Sequence, residues 1–358
     1  MNTIAWIGFC QSLFAAILMF TKKESALSDK ILSGWLTLLS IEFLTCGLDY
    51  EIFRQPLLSS SFLLFNPAMF LYISSLTSPS FRIKWIQLLH LLPFILFELY
   101  AYIVKEPFLM DAYFVKDDNY FFRMSFMAAN LISWAFYNPT SLILVHKYRM
   151  HLQNEQSNIN KNESLGWVLT VGIFYVVYCI IAFIIAVIVY FSGSNPVLPH
   201  VYNYAVLLFI IFVLSFYGLR QQELPAKLLI EKKQLPYKNS TLGFEQKKDI
   251  QKRILEYFDK EKVYLNPDLS MEVLAQELKV PKYQLTEVLN TEIGRNFFQF
   301  VNSYRVDAVK KMLLDPKNKF SIEAIGYECG FSSKSSFYTV FKSMTGSTPV
   351  EFKKKSTH

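Results

Sequence analysis

Two short stretches carry side chains whose types and spacing could do chemistry. Lys282-Tyr283-x-x-Thr286-Glu287 and Lys334-Ser335-x-x-Tyr338-Thr339 each place four residues at i, i+1, i+4 and i+5. On a helix that spacing makes one broad face. Lysine donates to guanine, glutamate accepts from the cytosine amino group, threonine and serine serve several bases, and an aromatic or methyl group meets the thymine methyl. The chemistry is recognition of base edges by exposed side chains. Ser270, Ser321 and Lys342 are of the kinds that meet phosphates, which position a protein without reading sequence. Bond-making sets are missing: the chain has no P-loop, no GxSxG and no HExxH, and its five histidines are scattered. Cys10, Cys46, Cys179 and Cys329 form no CxxC pair, so buried free thiols are expected. No enzyme activity, cofactor or metal is expected.

The elements that position these residues form a repeat. SMEVLAQELKV at 270–280 aligns with SIEAIGYECGF at 321–331, and LTEVLNTEIGRNFFQF shares its layout with FYTVFKSMTGSTPVEF. Ser270 and Ser321 read as N-caps, each followed two residues on by a glutamate that complements the helix dipole. A helix of about eight residues follows. Pro281 and Ser332-Ser333 start a second helix, and Gly294 and Gly346 end it. Leu285, Val288 and Leu289 read as one buried stripe, and Phe337, Val340, Phe341 and Met344 as the other. Apolar residues at helical spacing run through 297–314, a connecting helix stopped by Pro316. Residues 245–258 form a further amphipathic helix. Helix, tight turn, helix, twice over, is the layout of the helix-turn-helix, whose second helix enters the major groove.

IGYECGFSSKSSFYTVFKSMTGSTPVEFKKK resembles the C-terminal signature of the AraC/XylS transcription regulators. The matching positions are Ile325, Gly330-Phe331, Phe337, Phe341-Lys342, Gly346, Thr348-Pro349 and Phe352. Gly326 stands where alanine is usual and Cys329 where a small aliphatic is usual; neither touches the reading face. The resemblance covers about 250–355. It implies double-stranded DNA as partner and places DNA contacts at the helix positions named above. RNA polymerase and a second copy of the chain are further expected partners.

The rest of the chain has another character. The hydrophobic fraction is 52% and the charged fraction 18%. Residues 1–219 hold 12 basic and 12 acidic residues, whereas 220–358 hold 24 and 17, so the whole excess of +7 lies in the second part. Seven stretches are long and apolar enough to cross a bilayer, near 3–20, 31–53, 58–77, 85–104, 124–145, 165–191 and 201–219. Lys and Arg favour one set of alternate loops eight to four. The N-terminus is therefore expected outside and residue 220 onward in the cytoplasm, at the bacterial inner membrane. This front end, with FNPAMFLYISSLT at 65–77, resembles a membrane-bound subgroup common in Bacteroidetes-type bacteria. The expected fold is all-α: a seven-helix transmembrane domain at 1–219, a basic linker at 220–244 and a DNA-binding domain of two helix-turn-helix units at 245–358. Glu42, Asn66, Pro67, Glu98 and Asn138 fall within spans and are the candidates for an intramembrane signal site, since polar groups there face the bundle interior or a cavity. Tyr113, Phe114, Tyr120, Phe121 and Phe122 of the outer loop read as an interfacial aromatic belt. The function expected is a membrane-embedded, sequence-specific regulator answering an unknown ligand. The alternative is a membrane receptor or transporter-like protein whose helical tail recruits a protein.

Overall fold

A computed structural model describes residues 2–23, 25–54, 57–78, 81–107, 113–160, 162–192, 200–221, 224 and 242–356. The described chain is all-α. It divides into two compact units, Met1–Lys147 with Leu165–Glu231, and Tyr148–Ser164 with Lys232–His358. The prolines and lysines of the expected linker lie almost wholly outside the described residues, as do Lys161 and His358.

The first unit is built from apolar helices. α1 (Asn2–Phe20) buries Ala5, Gly8, Ser12, Ala15 and Ala16, a stripe of small residues that lets α2 (Leu27–Ile52) approach closely. A Cβ on Gly8 would sit inside the Phe43 ring. α3 (Phe62–Thr77) holds Pro67 internally. A 3-10 turn at Trp85–Leu91 leads into α4 (Leu92–Val104). The change of helix type falls at Pro93, which lacks the N–H that an uninterrupted α-helix would use. α5 (Tyr120–Glu155), α6 (Gly166–Ser192) and α7 (His200–Arg220) follow. Among the described residues five stretches are long and apolar enough to cross a membrane: Asn2–Phe20, Leu27–Ile52, Trp85–Val104, Gly166–Ser192 and Asn203–Arg220. The other two expected spans differ. Phe62–Thr77 has 16 residues because the chain before it is extended, with Leu57 bridged to Pro107. The stretch 124–145 lies inside the 36-residue α5, which runs on to Glu155.

The second unit has two cores on one strut. α8 (Phe244–Glu261), α9 (Met271–Leu278) and α10 (Lys282–Val288) pack around Ile254, Phe258, Leu274 and Leu285. α12 (Ile322–Glu328), α13 (Lys334–Thr345) and α14 (Pro349–Ser356) surround Ile325, Phe331, Phe337 and Phe341. α11 (Phe297–Leu314) serves both: Phe297, Phe300 and Val301 enter the first core, Val306, Val309 and Leu313 the second. The caps form as the sequence implies. Ser270 Oγ accepts from Val273 N, Ser321 Oγ from Ala324 N and Ser333 Oγ from Ser336 N. Gly294 and Gly346 end their helices at φ 73° and 77°, a backbone that favours glycine. Ser270→Ala is expected to remove about 1 kcal/mol of cap stabilisation. Hydrogen exchange should report it as faster exchange confined to the first turn of α9.

Two details differ from expectation. Met344, in the last turn of α13, is 38% exposed and outside the second core. α10 passes into a π-turn at Leu289–Ile293, which shifts the face that follows.

Candidate nucleic-acid interface

α10 and α13, the two helices expected to read bases, do not present equal faces. On α13, Lys334, Ser335 and Thr339 are exposed and Tyr338 is half-buried, its ring packed on the edge of the second core. Glu323 of α12 pairs with Lys334 and raises its pKa, so the ammonium stays charged. Lys334 Nζ also lies 5.9 Å from the Tyr338 ring centroid. Lys342 is exposed in the last turn.

On α10, Tyr283 is 59% exposed, but Thr286 and Glu287 are not available. Thr286 is 8% exposed and donates its hydroxyl back to Lys282 O at 2.8 Å. Glu287 is 3% exposed and takes Lys247 of α8 at 2.6 Å. The exposed face read from α10 alone fails here because α8 packs across that side. Lys282 is engaged too: its Nζ meets Glu155 at 3.0 Å and Glu272 at 3.1 Å. Burial pulls its pKa down, but the two carboxylates outweigh this and raise it. The ammonium is therefore charged, and to meet a base it must first leave Glu155.

Glu155 belongs to a segment that sequence reading assigned no role beyond its charge. Residues 153–158 span the end of α5 and the chain just after it and are built into the second unit. Gln153 Oε1 accepts from Asn296 Nδ2 at 3.2 Å. Gln156 pairs with Ser270 in an isolated antiparallel bridge, so Ser270 holds both a cap and this segment. Ser157 Oγ donates to Leu269 O at 2.5 Å. Asn158 Nδ2 donates to Pro267 O at 2.7 Å and Gly330 O at 2.9 Å, and its Oδ1 accepts from Ser332 N at 3.4 Å. The segment thus bonds to the chain before the first helix-turn-helix and to the turn of the second.

Beneath it lies Arg305, fully buried in the middle of α11. Nε donates to Tyr264 O (2.7 Å), Nη1 to Ser157 O (3.1 Å), and Nη2 to Ser157 Oγ (3.1 Å) and Asn266 O (2.8 Å). Its hydrogen-bond acceptors are carbonyls and a hydroxyl. Burial pushes the guanidinium down to about 10, which leaves it cationic at neutral pH. Asn302, one turn earlier and also buried, donates to Ser157 O at 2.9 Å. The available signal was a lone arginine in the stripe of α11, between Val301 and Val309.

In the first unit two of the candidates, Glu42 and Glu98, act on each other, and the others do not join them. Glu42 is buried and accepts from Tyr204 OH at 2.9 Å. Glu98 Oε2 accepts from Ser60 N (2.8 Å) and Ser60 Oγ (2.6 Å). Asn66 donates to Ser133 Oγ at 2.9 Å, and Asn138 reaches Cys179 Sγ at 4.0 Å. Pro67 is buried within α3. Glu42 and Glu98 thus share one carboxylate cluster with Asp49, while Asn66 and Asn138 bond elsewhere. Nor do Tyr113 and Phe114 serve only as a belt: they turn onto a cavity with Phe126, Met127 and Asn130 of α5.

Residues 274–355 match the helix-turn-helix domain family. Two curated relatives align with about a quarter of the chain. An uncharacterized transcriptional regulatory protein, YesN, of Bacillus subtilis is 34% identical over 94 residues, 25% of its length. An uncharacterized helix-turn-helix-type transcriptional regulator from the cgkA 5' region of Pseudoalteromonas carrageenovora is 30% identical over 91 residues, 52% of its length. The chain thus spans a quarter and about half of these relatives. A solved protein of unknown function from Listeria innocua is 27% identical, covers 29% of this chain and 95% of its own, and has a TM-score of 0.27, too low to bear on the fold. With two capped helix pairs on one strut and these likenesses, residues 274–355 form a helix-turn-helix domain.

Proposed function

We propose that the chain is a membrane-embedded, sequence-specific transcription regulator that couples a signal in or outside the membrane to promoter binding. In this reading residues 1–219 lie in the bacterial inner membrane with the N-terminus outside, 220–244 form a basic joint, and 245–358 face the cytoplasm. The apolar helices, the Lys and Arg bias of alternate loops and the helix-turn-helix domain support it. The observation that carries the coupling is the 153–158 segment. Its chain runs at both ends into long helices, α5 and α6, yet its Ser157 carbonyl accepts from Arg305 and Asn302 of α11 and its Asn158 side chain donates to Gly330 of the second helix-turn-helix unit. A shift along α5 would bear directly on the polar network between the two reading helices.

The test is DNA selection with the full chain in lipid nanodiscs. Tyr338→Ala is expected to relax preference at particular base pairs, about 1–3 kcal/mol at its site. Lys342→Ala should weaken all sequences alike and flatten the salt slope by about one. Binding with no preference among sequences, or equal losses from both substitutions on every DNA, would sink the assignment. A reporter fused at the C-terminus that reads as periplasmic would sink the topology.

A further inference from the structure

The two helix-turn-helix units share one ion pair and differ by one carboxylate. In the repeat Glu272 aligns with Glu323 and Lys282 with Lys334. Each lysine meets the glutamate of its own unit: Lys282 Nζ lies 3.1 Å from Glu272, and Lys334 pairs with Glu323. Both glutamates sit in the first turn of their helices, α9 and α12, with their side chains open to solvent. Lys282 meets a further carboxylate at 3.0 Å, that of Glu155, the last residue of α5. Among the described residues no second carboxylate pairs with Lys334. The lysine side chain is 60% exposed in the second unit and 39% in the first.

Glu155 is held in this position. Its side chain is 11% exposed. On either side of it in the chain, Gln153 bonds to Asn296, Gln156 bridges to Ser270 and Ser157 bonds to Leu269. An ammonium has three donors, and here two of them are spent on carboxylates. The charges differ as well. The second unit sets one ammonium against one carboxylate, whereas the first sets one ammonium against two. A polyanion approaching the start of α10 therefore meets an excess negative charge that the start of α13 lacks. Withdrawing the end of α5 would leave the first unit with the same simple pair as the second.

We propose that Glu155 is an autoinhibitory contact: its carboxylate holds Lys282 as a DNA anion would, and keeps the first helix-turn-helix unit off DNA while the second stays free to bind. This deepens, and rests on, the reading of α10 as a DNA-contacting helix. It makes the end of α5 the regulated element and the first unit its target.

The test uses the full chain in lipid nanodiscs and a duplex that the unaltered chain selects from a random-sequence pool. Glu155→Gln keeps the shape and removes the charge. It is expected to tighten binding to that duplex about tenfold and to steepen the salt slope by about one. In a Lys282→Ala background the same change should make no difference. A gain that persists undiminished there overturns the proposal, since charge alone would then explain it. So does the absence of any gain in a Glu155→Gln chain whose α9 and α10 amides keep their exchange protection. A second measurement needs no variant to fold. A carbodiimide, which joins a carboxylate to a paired amine, should link Glu155 to Lys282 in the unaltered chain, and saturating duplex should cut the yield at least about tenfold. No link in the free chain, or an undiminished link with duplex bound, overturns the proposal. If the pool yields no preferred sequence, the regulator reading falls and takes this inference with it. If a sequence is selected and the Glu155 results fail, only this inference falls.

Discussion

Arg305→Met is expected to unfold or loosen the second unit more than any surface change in it. The side chain is fully buried and makes four hydrogen bonds, to Tyr264 O, Ser157 O, Ser157 Oγ and Asn266 O. Methionine fills much of the space but leaves those carbonyls buried without donors, at about 1–3 kcal/mol each where water cannot reach them. A loss of about 3–5 kcal/mol is expected. Hydrogen exchange on the full chain should show it, with amides of α11 exchanging at least roughly a hundredfold faster. Arg305→Lys should not restore the protection, since an ammonium cannot reproduce the planar fork that reaches both Tyr264 and Ser157. Unchanged protection in Arg305→Met would mean that the network adds little beyond packing.

Gly330→Ala is expected to be nearly as damaging, for a reason of backbone geometry. Gly330 sits in the turn of the second helix-turn-helix at φ 90°. A Cβ there would collide with the carbonyl oxygens of Tyr264 and Leu265 and stand 3.0 Å from Arg305 Nε. Backbone atoms cannot swing aside as a side-chain tip can. The strained φ alone costs about 1–3 kcal/mol, and the collision adds to it. Exchange protection should fall in α12, α13 and the Tyr264–Leu265 turn together. Gly346→Ala is the control: its φ is similar at 77°, but open space surrounds it, so only the backbone strain should register. Equal effects of the two substitutions would show that the close approach at Gly330 is unimportant.

What the chain's sequence made legible is local. The caps at Ser270 and Ser321, the stops at Gly294 and Gly346, and the buried stripes of α10 and α13 follow from neighbours within one or two turns, and they appear as read, apart from Met344. The exposure of Lys334, Ser335 and Thr339 on α13 was legible for the same reason. The face on α10 was not, because Lys247, forty residues earlier, decides whether Glu287 meets solvent. The segment at 153–158 was least legible. Its partners lie more than a hundred residues away, and a run such as QNEQSN carries no periodicity that would tie it to α11. In the first unit Glu42, Asn66 and Asn138 are buried and Glu98 is half-buried, but nothing in one-dimensional spacing separates Glu42, which meets Tyr204, from Asn66, which meets Ser133.

The clasp at Ser157 and Asn158 bears on what a protease could achieve. A cut between α7 and α8 would sever the covalent tether, yet the hydrogen bonds to Leu269, Pro267 and Gly330 do not pass through that stretch of chain. The clipped C-terminal fragment would stay fastened to the remainder. Prying it loose would uncover Arg305 and strip it of two of its acceptors, so a freed fragment would be a weaker fold than the tethered one.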